Sequence, residues 1–243
     1  MRVLGIQPLS ARLPGIDPLA DKLEIKQHPS PNFGVRRDGA KPELIVIHYT
    51  AMASTQAAID WLCHPQAEVS AHYVISPHGE ITQLVDEKMR AWHAGAGEWR
   101  GCKDVNSRSI GIELSNCGDH PFAAAQMTAL ERLLDDIMLR WNIGPKGVIG
   151  HSDLAPGRKI DPGARFDWQR LEMLGLAEKR GTDAVPQDIE MSRFREIAKR
   201  HGYSGDVADE TLLAAVRLRF RPWAEGELVS EDFRPIWRSA AST

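Results

Sequence analysis

Two histidines stand where histidines are uncommon. His48 follows the apolar run Leu44-Ile45-Val46-Ile47, and His151 follows Val148-Ile149-Gly150. Burying a neutral imidazole without a hydrogen-bond partner is costly. Either each ring has a partner, or the two converge on a metal. Ten residues beyond His151, on a loop with Pro156, Gly157, Pro162 and Gly163 in and around it, comes Asp161, with Lys159 two residues before it. Two histidines and a carboxylate, with one position left for water, form a common catalytic zinc arrangement. Hydrolysing an amide also needs a group that takes and returns a proton, and a stabiliser for the oxyanion. Glu113, set inside the strand-like SIGIEL, is a carboxylate in an apolar run and fits the first task. Lys159 fits the second. The HExxH pattern of thermolysin-like peptidases does not occur.

These groups need elements to aim them. LIVIHY (44–49), SIGIEL (109–114) and GVIGHS (147–152) read as strands. Ser54 can cap a helix over TQAAIDWLCH. AHYVIS and ITQLV around PHGE read as a hairpin. Residues 123–142 carry Met127, Leu130, Leu133, Leu134, Ile137, Met138 and Trp141 on one helical face, and Gly144 and Pro145 should stop that helix. FDWQRLEMLG reads as a short helix. The alternation predicts an α/β fold, a mixed β-sheet flanked by helices. A polar span at 178–190 reads as a linker. Three short helices follow, the first ending at Gly202, the second holding Leu212, Leu213, Val216 and Phe220, the third N-capped by Ser230. The organisation expected is an arm at 1–24, a main domain at 25–177, the linker, and a small three-helix domain at 191–243.

At 243 residues and a net charge of −3 the chain carries no general attraction to nucleic acid or anionic membrane. No apolar run is long enough to span a bilayer. Gln7, Pro8, Ser10, Arg12 and Pro14 interrupt every candidate core for an export signal. Cys63, Cys102 and Cys117 are odd in number and fit no zinc-ribbon spacing, which favours free thiols in a reducing compartment. The location expected is the cytoplasm, with the periplasm or cell wall as the alternative. AWHAGAGEWRG (91–101) mixes indoles, a histidine and glycines; it is either a groove lining or a packed loop. His64 and His72 read as structural, and His28, His78, His120 and His201 as turn or surface residues.

The blocks VIHYTA, SAHYVISPHGEITQLV, AWHAGAGEWRG, NSRSIGIELSN and GHSDLAPGRKIDPG occur in that order. Over residues 25–175 they resemble the zinc-dependent N-acetylmuramoyl-L-alanine amidases of type 2, the AmpD/AmiD group. The resemblance implies the mixed sheet, one Zn²⁺ per chain, and hydrolysis of the amide between N-acetylmuramic acid, or its 1,6-anhydro form, and L-alanine. It implies His48, His151 and Asp161 as ligands, Glu113 as the water-activating carboxylate and Lys159 as the oxyanion stabiliser. Trp92 and His93 would border the substrate groove, and Asn106 is grouped with them. Related phage and animal proteins carry a tyrosine at Ala71 and a cysteine at Asp161, so the chain resembles the bacterial branch. FREIAKRHGYSGDVADETLLAAVRLRFRP resembles a peptidoglycan-binding domain. The partners implied are peptidoglycan or muropeptide fragments. The rival readings are a non-catalytic peptidoglycan-binding module and a zinc peptidase acting on stem peptides.

Overall fold

The computed structural model describes residues 23–185 and 189–238. The expected arm at 1–24 lies outside the described residues except for Leu23 and Glu24. In chain order the elements are β1 (Ile25–Gln27), β2 (Phe33–Val35), β3 (Leu44–Tyr49), α1 (Thr55–Leu62), β4 (Tyr73–Ile75), β5 (Ile81–Gln83) and β6 (Met89–Ala91). Then come α2 (Val105–Arg108), β7 (Ser109–Leu114), α3 (Ala124–Trp141), β8 (Val148–Gly150), α4 (His151–Leu154) and α5 (Trp168–Met173). The tail supplies α6 (Met191–His201), α7 (Asp209–Phe220) and α8 (Ser230–Phe233).

One sheet runs β1-β5-β4-β7-β3-β8. Its β4–β5 pair is antiparallel, which is the expected hairpin, while the other pairs are parallel. The central strand β3 pairs with β7 on one side and β8 on the other, with His48 opposite Glu113 and Ile47 opposite Gly150. Three strands therefore end side by side, at the carboxyl edge where open α/β sheets hold ligands.

Strand alternation sorts the two faces. Ile45, Ile47, Ile110, Ile112 and Leu114 join Leu130, Leu133, Leu134 and Ile137 of α3 in one apolar cluster. Each such fully buried side chain contributes roughly 1.5–3 kcal/mol. Leu44 and Val46 face the other way, into a cluster with Ile149, Leu154 and the tail's Phe194, Phe220 and Phe233. By the same period-two rule His48, Ser109, Gly111 and Glu113 lie on the side away from α3.

Several boundaries differ from expectation. The strand expected over 147–152 stops at Gly150, and His151 opens α4. α3 fills the expected span to within a residue at each end, but Asn142, in left-handed conformation with φ 55°, caps it ahead of Gly144 and Pro145. Ser230 lies inside α8; Val229 occupies the N-cap, and its N–H donates to the Asp232 carboxylate at 3.0 Å. His201 is not a surface residue, because it packs against Trp99, Tyr203 and Phe220. Within the linker, Arg180 is tied to the Glu172 carboxylate and the Phe220 carbonyl. Strands β1, β2 and β6 span three residues each, too short for a period to show.

A buried ionic contact joins the tail to the sheet. The Arg219 guanidinium pairs with Asp153, lies 4.0 Å from the Trp168 ring centroid, and donates to the Val148 carbonyl at 3.1 Å. Asp153 also accepts from the Tyr203 hydroxyl at 2.6 Å and from the Gly150 N–H at 2.7 Å.

Candidate metal centre

Register decides what meets at the sheet edge. His48 is the fifth residue of its strand and Glu113 is its partner on β7. His151 starts one residue after the Gly150 that pairs with Ile47. The loop after α4 then returns Asp161 to the same spot, where the Ser152 N–H donates to the Asp161 carbonyl at 2.9 Å. His48 Nδ1 lies 3.0 Å from His151 Nδ1 and 2.8 Å from Asp161 Oδ2, and His151 Nδ1 lies 3.0 Å from that oxygen. All three residues are buried.

The chemistry of this donor set fits a cation. His151 Nε2 is 2.9 Å from the Ala94 carbonyl oxygen, which can only accept, so Nε2 carries a proton, and in the neutral ring that metal binding requires Nδ1 presents a lone pair. That lone pair faces the Asp161 carboxylate. Two buried acceptors face to face are unfavourable unless positive charge lies between them. His48, His151 and Asp161 are a group that could hold a metal ion.

Burial, with His151 alongside, pushes His48 down to about 4. Glu113 is pushed up to about 8, by burial first and by the Asp161 charge second, against a smaller opposing pull from Lys159. Its Oε2 is buried with no hydrogen-bond partner. A carboxyl so placed can exchange a proton in the cavity.

The triad opens into a cavity of about 490 Å³ lined by Glu113, Lys159, Trp92, His93, Arg158 and, further out, Trp61 and Ile160. Lys159 and Ile160 are exposed. The structure thus brings together His48, His151, Asp161, Glu113, Lys159, Trp92 and His93. Asn106 is not among them and is reassigned. It is buried, and its Oδ1 accepts from the N–H groups of His93 and Ala94 at 3.0 and 2.9 Å. It holds the loop from below because its short amide mimics a backbone partner.

Arg158 escaped the sequence reading. Its guanidinium bonds the carbonyls of Ala94 (2.8 Å) and Ala96, pinning the loop after β6 to the loop after α4. Nothing in PGRK separates it from any exposed arginine beside a lysine. Trp61 was equally hidden, as an outward residue on an amphipathic helix.

Residues 38–164 match the family model described as N-acetylmuramoyl-L-alanine amidase. The chain is 34% identical over 214 residues to the N-acetylmuramoyl-L-alanine amidase AmiD of Escherichia coli, covering 74% of this chain and 75% of that one. It is 37% identical over 165 residues to the 1,6-anhydro-N-acetylmuramyl-L-alanine amidase AmpD of Haemophilus influenzae, covering 60% of this chain and 90% of that one. Among solved structures, AmiD of E. coli in complex with anhydro-N-acetylmuramic acid-L-Ala-D-gamma-Glu-L-Lys superposes with a TM-score of 0.72 at 32% identity, over 82% of this chain and 89% of that one. AmpDh3 of Pseudomonas aeruginosa in complex with anhydromuramic pentapeptide superposes with a TM-score of 0.71 at 28% identity, over 92% and 96%.

Proposed function

The chain belongs to the N-acetylmuramoyl-L-alanine amidase family and is an enzyme of that class, and on that premise we propose that it cleaves the amide between N-acetylmuramic acid, or its 1,6-anhydro form, and L-alanine of muropeptides. The observation that carries the reading is the convergence of His48, His151 and Asp161 beside an unpartnered Glu113 carboxyl. We assign the three ligands to one Zn²⁺, which when bound supplies Lewis-acid polarisation of the scissile carbonyl and acidifies water.

The protein's own groups do the rest. Glu113, whose carboxyl lines the cavity beside the triad, would accept a proton from the attacking water. The same carboxyl then hands that proton to the departing alanine nitrogen, so one group acts as base and then as acid. Lys159 brings a mobile ammonium to the cavity mouth, where it stabilises the negative charge that develops on the carbonyl oxygen. Trp92 and Trp61 offer flat apolar surfaces for the sugar and the peptide stem.

We place the work in the cytoplasm, in keeping with free thiols at Cys63, Cys102 and Cys117. We also keep the division into an amidase unit at 25–177 and a helical unit at 191–243, the second peptidoglycan-binding-like. No helix among the described residues is long and apolar enough to cross a membrane. Mass spectrometry of products tests the reading, run in parallel on anhydro-muropeptides and on intact sacculi. Free sugar plus intact stem peptide is expected. A shortened peptide would mean a peptidase, and unchanged substrate a binding module.

A further inference from the structure

Each ligand histidine uses Nδ1 at the triad, so each leaves Nε2 for something else. Both of those partners come from one short segment. His151 Nε2 meets the Ala94 carbonyl at 2.9 Å, and His48 Nε2 meets His93 Nδ1 at 3.0 Å.

The proton positions along the second contact follow by elimination. The Ser109 hydroxyl lies 2.6 Å from the Val105 carbonyl, which can only accept, so its single proton is committed there. Ser109 Oγ, 3.2 Å from His93 Nε2, must therefore accept from it. His93 Nε2 carries the ring proton, and His93 Nδ1 is left as a lone pair. That lone pair accepts from His48 Nε2–H, and His48 Nδ1 is bare toward the triad. The Arg158 guanidinium also lies 3.4 Å from His151 Nε2, but the Ala94 carbonyl is shorter and admits only a donor, so it sets that ring.

The segment is built into place. Asn106 Oδ1 accepts from the N–H groups of His93 and Ala94, and Ser70 Oγ accepts from that of Trp92. The His93 ring lies flat against β7 where Gly111 has no side chain; a Cβ there would sit 2.4–2.7 Å from ring atoms. The glycine is what lets the imidazole reach both His48 and Ser109.

We propose that the Trp92–Ala94 segment, with Ser109 and Asn106, is the outer shell of the metal centre, and that His93 is a positioning residue that holds His48 in its metal-binding tautomer. This rests on the metal reading above. It gives His93, which lines the cavity as expected, a second task at the ligand behind it. Partners of this kind hold a ligand ring in orientation and raise its basicity, and losing one costs about 10–100-fold in metal affinity.

The test has two arms. In the first, long-range ¹H–¹⁵N NMR of the metal-free full chain reads the histidine tautomers directly. Nε2–H on His48, His93 and His151 is expected, and Nδ1–H on His48 would overturn the proposal. In the second, zinc affinity is measured by competition with a chromogenic chelator for wild type, His93→Phe and Ser109→Ala. His93→Phe keeps a ring over Gly111 and removes both nitrogens, and affinity should fall about 10–100-fold. Ser109→Ala should fall less, since only the far end of the relay is lost. If wild type binds zinc and both folded variants bind it within twofold as tightly, the outer-shell role is wrong while the metal centre stands. If wild type takes up no zinc, the metal reading fails and this inference with it. Should His93→Phe fail to fold, Ser109→Ala and the NMR arm still decide.

Discussion

Asp153 and Asp161 follow the same strand, carry the same group and are both buried, at 1% and 8% exposure. Their surroundings are opposite. Asp153 is closed: Tyr203 donates to one oxygen, Gly150 N–H and Arg219 to the other. Asp161 is open: its Oδ2 faces nitrogens of His48 and His151, and the His151 nitrogen has no proton to give. A closed carboxylate is a fastening. An open one, among other bare lone pairs, calls for a cation. Burial does not distinguish structure from chemistry here; the direction of the protons does.

The comparison breaks most decisively at His151. His151→Ala should abolish zinc retention after dialysis and leave hydrolysis at background, checked by metal analysis and product mass spectrometry. Zinc content and turnover at wild-type levels would refute the open-site reading. Glu113→Gln comes next. It should keep zinc but lose roughly 10²–10⁴-fold in rate, and the thermal midpoint of the metal-free protein should not drop, because the lost carboxyl has an oxygen with no partner.

On the closed side, Arg219→Met leaves Asp153 buried with its principal charge partner gone and should cost about 3–5 kcal/mol in denaturant unfolding. Asp161→Asn in the metal-free protein should cost far less. Equal costs would erase the distinction between the two carboxylates.

The smallest effect is in pH. His72 is pushed down to about 4, mainly by burial and then by Arg36; it accepts from the Gly111 N–H through Nδ1 and contacts the Met89 carbonyl through Nε2, so it is neutral in the fold. Unfolded, it would titrate near 6.5. Between those values the unfolded chain binds the extra proton, so this group's contribution is full above about 6.5 and is lost as pH falls through about 4. Urea titrations of metal-free protein from pH 8 to pH 4.5 should show declining stability, with a shallower slope in His72→Gln. Unchanged slopes would mean that His72 titrates normally.

Much of the site was legible because the apolar strands make exceptions visible. A histidine ending LIVI, another after VIG and a glutamate inside SIGIEL stand out against their neighbours, and alternation puts Glu113 on the face away from α3. Strands β3, β7 and β8, the β4–β5 hairpin and α3 were legible for the same reason. What could not be read were facts that join distant residues. Nothing in the sequence says that Asn106 serves two backbone N–H groups, that Gly111 is a seat for His93, or that Asp153 and Asp161 differ. His201 read as surface because its neighbours Lys199 and Arg200 are charged, while Trp99 and Phe220 cover it from elsewhere in the chain.

The fastening at Asp153 has a thermodynamic corollary. Its carboxylate grips Gly150, the residue immediately before His151, and the Arg219 of α7 with the same oxygen. Undocking the tail and loosening the metal loop are therefore not independent events, and linkage makes their coupling reciprocal. Whatever free energy the docked helices lent to metal affinity, a metal held at the triad would give back as resistance of those helices to unfastening. The tail would then be part of the binding constant of any ion held at the triad, without touching it.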